Sequence, residues 1–192
     1  DATHPIVQRV ACGAAASPAL ASIAYNKGSA VIRMLEASLG ETGFRDGIRR
    51  YVRRYAYDNT VTDQLWSELA SATNRPVIDI ARDFTLQPGV PLVKAVAGRC
   101  ESGRTRVTLT QGRFEAGTPS PVALTWRIPV VLQAVDSRAT ASTLLGKDGA
   151  PVSVEVGGCG PVVVNAGQTG YFRTQYADAD LMRIRQSFGE IA

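Results

Sequence analysis

The sequence predicts an α+β chain in two parts, with helices first and an antiparallel β-sandwich after them. Up to residue 88 the apolar residues recur with the helical period of 3.6, and beyond residue 91 they alternate with polar residues. The change falls at Pro88-Gly89-Val90-Pro91, where two prolines and a glycine favour a connector. Short strands separated by frequent glycine turns are typical of an antiparallel sandwich.

Four stretches of the first part predict amphipathic helices. Their apolar stripes are Val31, Met34, Leu35 and Leu39; Phe44, Ile48, Tyr51, Val52 and Tyr55; Leu65, Trp66, Leu69 and Ala70; and Val77, Ile80, Ala81 and Phe84. Thr62 is the predicted N-cap of the third helix. In the second part, Thr105, Val107 and Leu109 alternate with polar residues and predict a half-buried strand.

Tyr25 lies just before the first of these helices, in the run Ala24-Tyr25-Asn26-Lys27-Gly28. We expect a loop that carries the tyrosine to the start of the helix, with Gly28 permitting a tight turn. A phenol held there can donate a hydrogen bond to a developing oxyanion. Spacing alone favours a half-buried packing tyrosine, because a single tyrosine is rarely catalytic without a partner group within reach.

The overall composition is that of a globular chain of one or two domains. It has 192 residues, of which 45% are hydrophobic and 20% charged, with a formal net charge of +4. This mild excess does not call for nucleic acid. No run approaches the roughly 18 apolar residues of a membrane helix, so we expect no membrane span.

A basic run on the second helix allows two interpretations. It contains Arg45, Arg49, Arg50, Arg53 and Arg54. Five arginines on one helix are the electrostatic footprint of a polyanion site, but no base-reading motif accompanies them. A solvated helix face is the other interpretation, and we expect no nucleic-acid partner.

Three cysteines, Cys12, Cys100 and Cys159, form no Cys-x-x-Cys pair. Cys100 ends the first predicted strand and Cys159 precedes the last, and both adjoin turns. We favour a disulfide between them, worth roughly 3–4 kcal/mol in the chain-entropy model. It would indicate an extracytoplasmic location, periplasmic or secreted. Two free cysteines in a cytoplasmic protein remain the alternative.

Several short motifs follow one another along the chain in an informative order. They are His4-Pro5-Ile6, Tyr25-Asn26-Lys27-Gly28, Leu39-Gly40, Phe44-Arg45-Asp46-Gly47-Ile48, Tyr51, Asn59-Thr60, Asp63-Gln64-Leu65-Trp66, Gln87-Pro88-Gly89-Val90-Pro91, Val164-Asn165-Ala166-Gly167 and Gly170-Tyr171-Phe172-Arg173. Their order and spacing resemble the aminopeptidase N family of zinc metallopeptidases. The likeness covers nearly the whole chain.

The resemblance implies a division into three parts. Residues 1–89 would be the helical C-terminal portion of a thermolysin-like catalytic domain. Residues 90–176 would be the β-sandwich domain that follows it. Residues 177–192 would begin a helical domain, so that the chain would be a fragment of a longer protein.

The resemblance also implies a zinc-dependent aminopeptidase that removes N-terminal residues from peptide substrates. Tyr25 would stabilise the tetrahedral oxyanion. The family binds zinc through His-Glu-x-x-His and a later Glu, whereas this chain has the single histidine His4. We therefore expect zinc in the parent protein, no metal ligands in this chain and no activity from it alone. The alternative is a non-catalytic protein-interaction module on a peptidase-like scaffold, with the sandwich as its working part.

Overall fold

The computed structural model of the protein describes residues 4–7, 22–115, 117 and 122–190. The chain forms two compact units, residues 2–88 and 89–192. The first is helical and the second is built on strands, which confirms the predicted α+β class. Residues 8–21, with Cys12, lie outside the described residues.

The helical unit contains the four predicted helices. They are α1 (Ser22–Leu39), α2 (Glu41–Arg54), α3 (Thr62–Thr73) and α4 (Val77–Thr85). The apolar stripes of α1, α3 and α4 meet in one core, which includes Val31, Met34, Leu35, Trp66, Leu69, Val77, Ile80 and Phe84. The predicted stripe of α2 is only partly buried, and its Val52 is 57% exposed. Burying each large apolar side chain stabilises the unit by about 1.5–3 kcal/mol, before the cost of ordering the chain.

Two helix starts differ from the prediction. Helix α1 begins at Ser22, so Tyr25 and Gly28 lie inside it and the expected loop is wrong. The helix continues through Gly28 because one glycine costs only about 1 kcal/mol, which burial of neighbouring residues can offset. Thr62 is the first residue of α3 rather than its cap, and the Val61 N–H donates to Gln64 Oε1 at 2.8 Å.

The helices α2 and α3 approach each other at two glycines. A Cβ built on Gly47 would lie 2.7 Å from Leu69 Cδ2 and 3.0 Å from Leu69 Cα. A Cβ on Gly43, one turn earlier, would lie 2.7 Å from Thr73 Cγ2. These positions have no room for a side chain, so glycine sets the distance between the two helices.

The second unit is a two-sheet sandwich followed by a short helix. Its elements are β1 (Pro91–Glu101), β2 (Arg104–Arg113), β3 (Ile128–Ala134), β4 (Thr140–Leu145), β5 (Val152–Gly157), β6 (Val162–Val164), β7 (Arg173–Tyr176) and α5 (Asp178–Gln186). One sheet has the order β5-β2-β1-β7 and the other β4-β3-β6. All strand pairs are antiparallel except β1 with β7.

Alternate residues of the strands face the sandwich core. Strand β3 alternates strictly between buried and partly exposed positions, as the period of two requires. The buried residues include Val93, Ala95, Val107 and Leu109 of one sheet and Ile128, Val130, Leu132 and Val164 of the other. Gly89, at the start of the unit, has a φ of 90°, which glycine adopts without strain.

Two side chains bridge the sheets by binding main-chain groups. Gln111 of β2 donates to the carbonyls of Trp126 and Gly146 and accepts the Trp126 N–H at 2.9 Å. The Tyr176 hydroxyl of β7 accepts the Val164 N–H of β6 at 2.9 Å. Burial raises the pKa of Tyr176, so this phenol keeps its proton over a wider pH range.

Helix α5 is tied to the strands of its own unit. The Asp180 carboxylate accepts the Ala97 N–H of β1 at 3.0 Å, where the register between β1 and β2 shifts. Arg183 Nη2 donates to the Cys159 carbonyl at 3.0 Å. The assignment of residues 177–192 to a further helical domain stays a prediction.

Candidate functional site

Tyr25 lies in the first turns of α1 and its side chain is 66% exposed. The phenol is therefore accessible to a ligand, as an oxyanion donor must be. Gly28 and Ser29, three and four residues later, are its neighbours along the helix surface. A Cβ built on Gly28 would have no atom within 4 Å, so the surface beside the tyrosine is open.

Lys27, two residues after Tyr25, is buried to 3% exposure. Its ammonium Nζ donates to the Gln87 carbonyl at 2.9 Å, just beyond the end of α4. Burial lowers the pKa of Lys27 from 10.5 to about 8, because desolvation penalises the charged form. A buried cation is costly unless it is hydrogen-bonded, and the carbonyl supplies that bond.

The C-terminal end of α4 binds a second segment of the helical unit. The Val7 N–H donates to the Thr85 carbonyl at 3.0 Å. Carbonyls at the end of a helix lack partners within the helix, so donors from elsewhere satisfy them. The segment 4–7 and helix α1 are thus both attached to one helix end.

His4 lies next to that attachment and has a local contact. Its Nδ1 is 2.8 Å from the Pro5 carbonyl oxygen. Among the residues that the structure describes, no group of three or more His, Cys, Asp or Glu side chains could hold a metal ion.

Acidic side chains of the helical unit bind four arginines of α2, namely Arg45, Arg49, Arg50 and Arg54. Arg54 Nη1 and Arg50 Nε donate to the two carboxylate oxygens of Glu68 at 2.8 and 3.2 Å. Glu68 is 3% exposed, and the hydrogen bond from Arg54 holds the pKa of its carboxyl below the usual value. Asp46 pairs with Arg45 and Arg49. These contacts favour the solvated helix face over a polyanion site.

The two predicted disulfide cysteines lie together in the sandwich unit. The structure has a disulfide between Cys100 and Cys159, whose Cα atoms are 5.2 Å apart. The loop around Cys159 is held by Asp136, whose carboxylate accepts the N–H groups of Cys159 and Gly160 at 2.9 and 2.8 Å. These bonds, that of Cys159 above all, lower the pKa of Asp136.

Sequence reasoning singled out Tyr25 and missed Lys27. The signal was present, because Lys27, Val31, Met34 and Leu35 fall at i, i+4, i+7 and i+8. A lysine at the next position of an apolar stripe predicts either an exposed helix end or a buried cation with an acceptor. Only the folded helix α4 shows that an acceptor is there.

Comparisons with known proteins find similar sequences among peptidases. Residues 1–84 match the peptidase family M1 domain. Glutamyl aminopeptidase of Mus musculus is 30% identical over 175 residues, which is 91% of this chain and 18% of that protein. Aminopeptidase M1 of Arabidopsis thaliana is 31% identical over 193 residues, covering 93% of this chain and 21% of that protein.

A third relative extends the same result to another kind of animal. Puromycin-sensitive aminopeptidase of Caenorhabditis elegans is 33% identical over 163 residues, or 82% of this chain and 17% of that protein. The matched domain indicates the class, that of the peptidases. Within that class, residues 1–84 match the family M1 domain, and the relatives that align over most of the chain are aminopeptidases, in line with the resemblance to the aminopeptidase N family. The chain spans about a fifth of the length of these relatives.

No helix within the described ranges is long and apolar enough to cross a bilayer.

Proposed function

We propose that this chain is part of an aminopeptidase that removes N-terminal residues from peptides, and that Tyr25 stabilises the oxyanion of the reaction. The match to the family M1 domain and the names of the relatives support the reaction class. The observation that carries the role of Tyr25 is its 66% exposure on a helix whose opposite side is buried. Such a phenol is accessible and is held by a fixed backbone.

The chemistry of Tyr25 follows from how a peptide bond is hydrolysed. Attack on the scissile carbonyl gives a tetrahedral intermediate whose oxygen carries negative charge. The Tyr25 hydroxyl donates a hydrogen bond to that oxygen, and the bond strengthens as the charge develops. One donor of this kind is worth about 2.7–4 kcal/mol in the transition state, or roughly 10²–10³ in kcat.

We also propose that the enzyme depends on zinc and that its metal ligands and general base belong to residues outside this sequence. The chain supplies one histidine, and a catalytic zinc site usually needs three protein ligands. The 192 residues alone should release no aminoacyl product and hold no stoichiometric zinc, which a chromogenic assay and metal analysis would check.

Substitution in the intact encoded enzyme tests the role of Tyr25. Tyr25→Phe removes the donor and keeps the ring, so we expect kcat for an aminoacyl p-nitroanilide to fall about 10²- to 10³-fold. The KM should stay within about threefold, since the bond forms mainly in the transition state. Tyr57→Phe is the matched control, because Tyr57 is a fully exposed tyrosine of the same unit.

Two results would contradict the proposal in different ways. An unchanged kcat in Tyr25→Phe would remove Tyr25 from the mechanism and leave the reaction class intact. An intact protein that hydrolyses no aminoacyl substrate would favour the non-catalytic interaction module. The Tyr57→Phe control guards against a general effect of changing tyrosines in the helical unit.

We further propose an extracytoplasmic location, periplasmic or secreted. The bonded pair Cys100 and Cys159 supports it, because disulfides persist in oxidising compartments. Rapid alkylation of cells followed by mass spectrometry should find the two cysteines unalkylated and joined. Alkylation of both thiols at the moment of lysis would instead place the protein in the cytoplasm.

A further inference from the structure

We propose that Lys27 is a positioning residue for Tyr25: by donating to the Gln87 carbonyl, it fixes the rotation of α1 so that the phenol faces outward. The inference rests on the proposed role of Tyr25 in catalysis. Lys27 itself touches no reacting atom in this account. Its function is to hold the helix that carries the tyrosine.

The geometry of a helix links the two side chains. Successive residues of an α-helix are about 100° apart, so positions two apart point about 200° apart, to opposite sides. The structure shows this division, with Lys27 at 3% exposure and Tyr25 at 66%. Any rotation of the first turns that released Lys27 would therefore carry Tyr25 away from its present direction.

Lys27 adds to the buried stripe a contact that an apolar residue cannot make. Val31, Met34 and Leu35 fix the later turns of α1 by packing. At Lys27 the contact is a directed bond of 2.9 Å to one carbonyl oxygen. A hydrogen bond between an ammonium and a carbonyl specifies direction and distance, whereas apolar contact specifies mainly area.

The acceptor is itself fixed. Gln87 follows α4, whose residues Val77, Ile80 and Phe84 are buried in the core of the unit. A cation at the C-terminal end of a helix is also favoured by the helix dipole. Lys27 thus connects the first turns of α1 to the end of a helix that is packed in the core.

A purely structural lysine would behave differently from a positioning one. Methionine at position 27 preserves the unbranched apolar stem and the buried stripe, and it removes the donor and the charge. Replacing a buried charge by a well-packed apolar residue is often neutral or stabilising. A structural role therefore predicts a Lys27→Met enzyme with unchanged kcat, and a positioning role predicts a folded enzyme with low kcat.

The test is a double-mutant cycle in the intact encoded enzyme. Lys27→Met should lower kcat about 10- to 100-fold with little change in KM, because small misplacements of a catalytic group have effects of this size. Lys27→Arg, which retains a charged donor, should recover much of the loss. The double variant Lys27→Met with Tyr25→Phe should have the same kcat as Tyr25→Phe alone. Lys27 acts by positioning the Tyr25 hydroxyl, which the double variant no longer has.

The other outcomes overturn the inference. Wild-type kcat in a folded Lys27→Met enzyme would show that the bond does not matter for catalysis. Losses that multiply in the double variant would show that Lys27 acts independently of Tyr25. If the methionine variant does not fold, Lys27→Gln takes its place in the same cycle. The glutamine side chain is neutral and too short to reach the Gln87 carbonyl as the lysine does.

A measurement that does not depend on enzyme activity separates this inference from the proposed function. Hydrogen exchange of residues 22–30 should be several-fold faster in Lys27→Met than in wild type, and near wild type in Lys27→Arg. If Tyr25→Phe leaves kcat unchanged, the proposed role of Tyr25 fails, and exchange still decides whether Lys27 anchors the helix. Equal exchange in all three proteins would reject the anchor.

Discussion

The helical unit buries charged side chains, whereas half-buried neutral side chains connect the two sheets of the sandwich unit. Among the described residues, the helical unit buries the charged side chains Lys27, Glu68 and Asp83. The sandwich unit instead uses the neutral groups of Gln111 and Tyr176 to join main-chain atoms of its two sheets. It adds a disulfide between Cys100 and Cys159.

The difference follows from what each architecture leaves unsatisfied. A helix pairs its own backbone except at its ends, so the groups that need partners are few and lie at defined places. Lys27 binds one of them at the end of α4. In a sandwich, the loops between sheets expose main-chain donors and acceptors together, and a neutral amide or hydroxyl can serve both.

The comparison therefore indicates what the polar contacts contribute in each unit. In the helical unit a costly buried cation is kept beside the exposed Tyr25, which suggests that direction matters there more than stability. In the sandwich unit the bridges join the two sheets, and we expect them to contribute to stability. Substitutions that separate stability from activity should confirm or break this division.

The largest effect on stability is expected from the disulfide. Replacing Cys100 and Cys159 by serine should lower the free energy of unfolding of the sandwich unit by about 3–4 kcal/mol, because the bond closes a loop with a sequence separation of 59. Calorimetry should show a lower unfolding temperature for that unit. Reduced wild type should behave like the serine variant, and a stable variant would mean that the sheets do not depend on the bond.

The second effect concerns the amide bridge. Gln111→Ala removes three hydrogen bonds to main-chain groups and should lower the free energy of unfolding by about 2–3 kcal/mol. Chemical denaturation measures the change. Gln133→Ala is the matched control, since its amide makes an exposed contact of 3.4 Å, and it should cost less than about 0.5 kcal/mol. An equal loss of unfolding free energy in the two variants would show that the hydrogen bonds of Gln111 do not stabilise the sandwich unit.

The third effect compares two glycines of the helical unit. Gly47→Ala should cost about 1–2 kcal/mol net, because the methyl group would collide with Leu69 while helix propensity improves. Gly28→Ala should instead stabilise by about 0.5–1 kcal/mol, since its Cβ meets no atom within 4 Å. Thermal unfolding of both variants checks the opposite signs. The same sign in both would mean that propensity alone decides.

The smallest effect is a dependence on pH at the disulfide loop. The pKa of Asp136 is lower in the folded protein than its ordinary value of 3.8. The unfolded chain then binds the proton first as the pH falls, so the contribution of Asp136 is complete above about pH 4 and disappears below it. Wild type should lose stability with acid more steeply than Asp136→Asn. Parallel acid titrations of the two proteins would contradict this.

Much of the fold follows from local pattern in the sequence. The four helices were predictable because the apolar stripes at Val31, Leu69 and Phe84 repeat with the period of a helix. The strand around Val107 was predictable from its period of two. Strand β4, Thr140–Leu145, was not predicted, because its residues Thr-Ala-Ser-Thr-Leu-Leu show no alternation of apolar and polar types.

The candidate site was only partly predictable. Tyr25 was found through its place in a motif, Tyr25-Asn26-Lys27-Gly28, that resembles the family. Its helical conformation was not foreseen, because Gly28 favours a turn when the sequence alone is considered. The burial of Lys27 could not be derived, since its acceptor lies sixty positions away along the chain.

The sequence by itself determined the two-part architecture, the position of the connector and the family motifs, because these depend on periodicity and on residue types close together in the chain. The tertiary structure decided which polar groups meet. Lys27 with Gln87, Glu68 with Arg54 and Gln111 with Trp126 are contacts between separate elements. Such contacts depend on how helices and sheets pack, and packing is a property of the whole fold rather than of any one segment.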